Sequence, residues 1–474
     1  MEKAIEKGRM CLMALLGNEA LFLLAAYLLR GILFIDPFKW HMESMTNLYA
    51  YILCPWGGYL IAARLYRLKM GQKAGREMPL LFILFAWISV PLLWRFGATF
   101  NNVVTDIGYA IVFFGLYASI RELPEEERGR RLSEMSVLFT ILGLIWGSLL
   151  LYCAVTGTVW GQDTGGEIFG VKWNLLYCGV HYNSLGMMAS GCLFMALALF
   201  ERNRNIALRI LGLLTALILI LCIILSQSRT ARYAMLIAFS IGVFLLVFMR
   251  AKWRAPVRLL VSLVLSAAVL VGGYELAGRI MDLALTHYAN LANGKAFSAD
   301  AYVETMMLGS TEALAEEAEV KKGEARVAVD ATFSERTRIW ENLFELWRSD
   351  VKNLVIGRGV GNTGSLIAHG TSHEADGTAA VHNTFLQFIA DFGVIGLLLQ
   401  LLFLLYILPM AFRGFLSGAK GTGRGLLSIG MLACDILCIG MMESAPLGQM
   451  TPTNLMLYTS LALLVASGDR ALQK

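Results

Sequence analysis

Twelve largely apolar stretches, each near the length of a membrane-crossing helix, divide this chain. They lie at about residues 10–35, 46–63, 78–95, 101–120, 135–155, 184–200, 206–225, 231–249, 257–275, 384–408, 425–443 and 452–468. Crossing a bilayer core takes roughly 20 apolar residues in helical form, because a chain in hydrocarbon must satisfy its backbone polar groups internally. Residues 206–225 read IALRILGLLTALILILCIIL, with Arg209 as their only charge. Of 474 residues, 57% are hydrophobic and 16% charged, which excludes an ordinary soluble domain. The expected fold is all-α, a polytopic membrane protein of about 12 transmembrane helices. The first stretch does not read as a signal peptide, since it lacks a small-residue cleavage pattern and carries Glu19 and Arg30.

Charge sets the expected sidedness. With the N-terminus in the cytoplasm, the inside segments gather Lys3, Lys7 and Arg9; Arg64, Arg67 and Lys69; Arg121, Arg128, Arg130 and Arg131; Arg250, Lys252 and Arg254; and Arg413, Lys420 and Arg424. The short outside loops and their edges keep only Lys39, Arg95, Lys172, Arg229 and Arg232. This is the positive-inside pattern, and it places both termini in the cytoplasm. The net charge of +5 is dispersed in small clusters that orient helices, so nucleic-acid binding is a poor reading.

Three regions follow: apolar segments one to nine over 1–275, a long extracytoplasmic loop over 276–381 between helices 9 and 10, and the last three segments over 382–474. Within the loop, 295–330 is rich in Ala, Glu and Lys and reads as solvated helix or linker. Residues 334–349 place Ile339, Trp340, Leu343, Phe344, Leu346 and Trp347 at helical spacing. They predict an amphipathic helix at the membrane surface, capped by Ser334. Most of the eight cysteines lie inside apolar segments and behave as small hydrophobes; Cys153 and Cys178 flank an outside loop and are a candidate pair.

The polar residues with chemical potential share one side. Arg229 and Arg232 follow the apolar run at the turn Ser226-Gln227-Ser228, one helical turn apart. An arginine at a membrane edge snorkels or finds a partner, and guanidinium offers paired donors that match phosphate oxygens. Ser228 adds a hydroxyl or caps the next helix. Arg336 and Arg338 precede Trp340, and Arg358 lies in a glycine-flanked turn. His382-Asn383 opens the tenth segment; its imidazole is a candidate base for a hydroxyl, and Asn383 a candidate cap. His181-Tyr182-Asn183 mirrors it at the sixth. Gly393 and Gly396 permit close packing. Asp106, Asp391, Asp435 and Glu443 are further acidic groups in or beside apolar segments, to which sequence alone assigns no role.

Between residues 170 and 410 the chain resembles the O-antigen ligase and polymerase superfamily, membrane glycosyltransferases of the GT-C class. Ser228-Arg229, Arg336-x-x-x-Trp340, Gly357-x-Gly359-x-Gly361, His382-Asn383-x-x-Leu386 with Gly393-x-x-Gly396, and His181-x-Asn183-x-Leu185-Gly186 carry the likeness. The resemblance implies a GT-C-like fold in a bacterial cytoplasmic membrane, with an extracytoplasmic active site. It implies transfer of a glycan from undecaprenyl diphosphate to a hydroxyl acceptor, without cofactor or metal ion and with inversion. Arg229 and Arg336 would hold the diphosphate and His382 would serve the acceptor hydroxyl. Arg232, Arg338, Arg358, Asn383, His181, Asn183 and Ser228 would line the substrate. Repeat-unit polymerase is the alternative within the class. A lipid-linked glycan transporter or flippase is the rival outside it.

Overall fold

The structure, a computed structural model, describes residues 2–30, 48–94, 100–156, 182–226, 228–292, 336–371, 374, 379–443 and 451–470. The described residues form helices and turns, without strands. In chain order the helices are α1 (Glu2–Leu16), α2 (Glu19–Arg30), α3 (Leu48–Lys69), α4 (Met78–Ile88), α5 (Val90–Trp94) and α6 (Phe100–Ala110). A π-helical stretch (Ile111–Ala118) then leads into α7 (Ser119–Glu122). Next come α8 (Glu125–Thr156), α9 (Tyr182–Arg202), α10 (Ile206–Leu225), α11 (Arg229–Arg250) and α12 (Ala255–Ala292). After these lie α13 (residues 336–349), α14 (Val351–Ile356), α15 (Gly364–Ile367), α16 (Thr384–Lys420), α17 (Leu426–Met442) and α18 (Pro452–Arg470).

Helix falls on all twelve apolar stretches, and the chain is an all-α polytopic membrane protein. Among the described residues seven helical segments are long and apolar enough to cross a bilayer, and α1 with α2 makes an eighth only if that pair, bent by 69°, counts as one span. The bend lies at Gly17-Asn18. There Asn18 Oδ1 accepts from the amides of Ala20 (2.9 Å) and Leu21 (3.2 Å) and starts α2 afresh, so the first expected stretch is two helices.

The spans most enclosed by protein are the least apolar. α12 meets the bundle with little of its length, only 6% of its apolar window being buried, and it shows Leu260, Val264 and Val271 outward. α18 is buried almost throughout and tolerates Thr453, Asn454, Thr459 and Ser460, because protein rather than lipid surrounds it. It crosses α16 closely enough that a Cβ on Gly414 would overlap the Leu464 backbone.

At the end of the bundle away from His382, acidic partners absorb many of the arginines read as topology signals. Glu19, wholly buried, accepts from Ser119 Oγ (2.6 Å) and Arg131 Nε (3.0 Å) and pairs with Arg67 (3.4 Å). Arg64 meets Glu122 through two bonds of 2.9 Å. Arg121 bridges Glu77 (3.0 Å) and Asp469. These contacts lock α2, α3, α7, α8 and α18 together.

The expected loop is partly helix and partly folded. α12 continues to Ala292. The 295–330 stretch and the Ser334 cap lie outside the described residues, as does Cys178 of the candidate cysteine pair. α13 is amphipathic, and protein takes up the stripe of Ile339, Leu343 and Trp347 while Phe344 stays exposed. Ile339, Leu343 and Trp347 pack with Ile367, Ala368, Ala379, Val381 and Ala390 in a small core of their own, because the chain at 364–368 and at 379–381 lies against the helix and buries that stripe.

Candidate active site

The site forms where α16 begins, and the local sequence dictates how. Asn383 caps α16, its Oδ1 accepting from the amides of Phe385 and Leu386, both at 3.0 Å. Its Nδ2 donates to Met441 O (3.0 Å) and ties the cap to α17. His382, just before the cap, has φ +54° and is the only non-glycine residue at positive φ among the described residues. An imidazole held in that disfavoured region needs support on both sides. Trp340 supplies it on one side, its Nε1 donating to Val381 O at 2.8 Å.

The glycine turn supports α16 from below. Gly393 breaks the helix at φ +71°, and a Cβ there would collide with the Val355 carbonyl. The backbone of α14 occupies that space. The carbonyls exposed by the break, of Ala390 and Asp391, accept from the amides of Arg358 (2.9 Å) and Gly359 (2.8 Å). The glycines of 357–361 are thus a clamp on a broken helix, with Gly357 at φ +79° because Asp391 leaves no room for a side chain.

Glu443, at the end of α17, gathers the polar groups. It is 6% exposed, and its carboxylate meets His382 Nδ1 (3.3 Å), Arg336 Nη2 (3.4 Å), Asn183 Nδ2 (2.5 Å) and Thr230 Oγ1 (3.4 Å). Ser228 Oγ, which also caps α11, donates to Asn183 Oδ1 at 2.6 Å. Thr384 Oγ1 donates to the Glu443 carbonyl at 2.9 Å. One carboxylate therefore joins the starts of α9, α11, α13 and α16. Sequence reasoning noticed Glu443 without giving it a task. Its signal was a lone acid just past an apolar helix, at the boundary where His382, Asn183 and Ser228 also fall.

The remaining candidates separate. Arg229, the first residue of α11, is exposed at the edge of this group. Arg232 lies over the rings of Tyr233 and Tyr274 instead. Arg338 does not accompany Arg336, because residues two apart point to different sides of a helix. It lies at Gly370 and Glu374, where the Gly370 amide and then His369 hold the Glu374 carboxyl below its usual value. Arg358 bonds Asn353 Oδ1 at 3.3 Å beside the α16 break. Asn183 and Asn383 are engaged with protein, the one with Glu443 and Ser228, the other with α16 and α17. His181 lies outside the described residues. Asp391 is wholly buried on Gln387 (3.1 Å), and Asp106 accepts from Ser89 Oγ (2.8 Å); neither belongs to the Glu443 group.

Chemically, the arrangement couples an imidazole to a carboxylate beside a guanidinium. With Nδ1 on Glu443, His382 presents Nε2 as its second nitrogen, and the carboxylate steadies the imidazolium formed when that nitrogen takes a proton. Among the described residues no group of three His, Cys, Asp or Glu side chains is arranged to hold a metal ion.

Residues 214–401 match the model of a family described as O-antigen ligase. That span contains Ser228, Arg229, Arg336, Trp340 and His382; Asn183 and Glu443 lie beyond its two ends. No curated protein matches the chain.

Proposed function

We propose that this chain, whose residues 214–401 match the O-antigen ligase family model, is a membrane glycosyltransferase that moves a glycan from an undecaprenyl-diphosphate carrier to a hydroxyl acceptor. The observation that carries the reading is Glu443, which holds His382 and Arg336 on one carboxylate at the bundle end opposite the clustered, ion-paired arginines. By the positive-inside rule that end is extracytoplasmic.

The acceptor hydroxyl gives its proton to His382 Nε2 while its oxygen bonds to the anomeric carbon. The bond from that carbon to the diphosphate breaks, and the electron pair leaves with the diphosphate. A single displacement inverts the anomeric centre. Arg336 and Arg229 meet the developing charge; fixed guanidinium groups do this without a metal ion. Arg336 rests on Glu443 at 3.4 Å, which holds its guanidinium at the site.

The test is purified protein in detergent with an undecaprenyl-diphosphate-linked repeat unit, with and without a candidate acceptor. Transfer only with acceptor, releasing undecaprenyl diphosphate, identifies a ligase. A ladder of longer lipid-linked chains without added acceptor identifies a repeat-unit polymerase. Turnover in detergent, where no compartments exist, excludes transport as the sole activity. Activity persists in excess EDTA; loss that Mg²⁺ restores refutes the metal-free route.

A further inference from the structure

A second cationic group lies on the α11 face adjoining the one that meets Glu443. Arg229, Arg232 and Tyr233 stand at i, i+3 and i+4 and share one stripe. Thr230, about 100° around the helix from Arg229, is the residue that reaches Glu443. α12 runs alongside and comes close because a Cβ on Gly273 would overlap Leu236. That approach stacks Tyr274 on Tyr233, with centroids 5.8 Å apart and rings 11° from parallel. The Arg232 guanidinium lies 5.8 Å from one ring centroid and 5.9 Å from the other.

The charge here is uncompensated. At the far end of the bundle Arg64, Arg67, Arg121 and Arg131 each meet a carboxylate. Neither Arg229 nor Arg232 has one among the described residues, and Arg232 Nε is buried without a hydrogen bond. Tyr233 and Tyr274 are 40% and 44% exposed, on the flank that α12 shows to lipid. Tyrosines at the headgroup level with an arginine beside both of them suit a lipid-borne phosphate: the guanidinium takes the oxygens and the rings take the first carbons of the chain.

We propose that Arg232, held over the Tyr233–Tyr274 pair, is the first docking point for the phosphate head of the lipid-linked donor arriving laterally from the bilayer, ahead of Arg229 and the Glu443 group. This rests on the transferase reading above. Docking at a point apart from the reacting atoms governs capture, so it acts on the donor KM and leaves kcat to His382 and Glu443.

The experiment uses the full chain in phosphatidylcholine nanodiscs doped with either undecaprenyl diphosphate or phosphatidylglycerol. Retained lipid is read by native mass spectrometry, and donor KM and kcat are measured in parallel. A lost charge-assisted contact predicts about tenfold weaker retention of undecaprenyl diphosphate in Arg232→Gln, a similar rise in donor KM, and kcat within about twofold. Arg232→Lys restores part of the loss, and Tyr274→Leu shows a smaller version of it. Unchanged retention and KM in Arg232→Gln overturn the proposal. So does loss of phosphatidylglycerol alone at unchanged donor KM, which assigns the patch to bulk anionic lipid. A fall in kcat at constant KM overturns it too. Retention needs no turnover, so a wild type that transfers nothing refutes the transferase reading while the docking point is still decided.

Discussion

Glu443 has four side-chain partners, so replacing it tests more than one bond. Glu443→Gln keeps the shape and can still accept from Asn183 and Thr230, but it withdraws the charge that His382 and Arg336 share. Transfer should fall by about 10²-fold or more, the scale of a general base that has lost its support, with an unchanged far-UV spectrum. Glu443→Asp, which keeps the charge at shorter reach, should recover part of it. Activity within twofold of wild type in Glu443→Gln would sink the carboxylate's role. Arg336→Ala and His382→Ala should each abolish detectable transfer in folded protein, and wild-type rates in either would remove the clamp and the base. The nearby arginines show why residue type alone misleads. Arg336 and Arg338 are alike in sequence, yet only Arg336 faces Glu443, because a helix turns about 200° between them.

At the scale of elements, the site depends on a helix that is broken on purpose. α16 stops at Gly393 and accepts the α14 backbone, and the glycine turn 357–361 satisfies the freed carbonyls. Gly393→Ala forces a Cβ onto the Val355 carbonyl at a left-handed φ, and should cost about 3 kcal/mol or more, read as a lowered detergent melting temperature and loss of transfer together. Gly396→Ala, whose nearest neighbours are side-chain atoms of Phe392 and Trp87 and whose φ is helical, should cost less; equal losses would deny the clamp. Trp340→Phe leaves the Val381 carbonyl without its indole donor, worth about 1–3 kcal/mol. It loosens the backbone next to His382, so kcat should drop more than melting temperature does. The glycines were legible as a motif; their task was not, since it needs two segments 30 or more residues apart to meet.

Across the whole molecule, polar contacts concentrate at the two ends of an apolar bundle. The far end holds Glu19, itself fully buried, among Arg67, Arg131 and Ser119; Glu19→Ala takes a carboxylate from two part-buried arginines, of which Arg131 keeps Glu134, and should cost about 1–3 kcal/mol. Melting temperature in detergent should fall, while the kcat of the surviving folded fraction stays as in wild type; a selective loss of kcat would mean the two ends communicate. Read by itself, the sequence determined the class: runs of apolar residues leave no fold but membrane-spanning helices, and biased arginines point to one orientation. It also placed Ser228, Arg336 and His382 at one boundary, since membrane crossings convert position along the chain into depth. The tertiary structure alone decided which of these meet. Hydropathy reports depth and says nothing of rotation about a helix axis or of neighbours across the bundle. Contacts such as Glu443 with His382 and Asn183, and Arg232 with Tyr274, are set by those two variables, through packing.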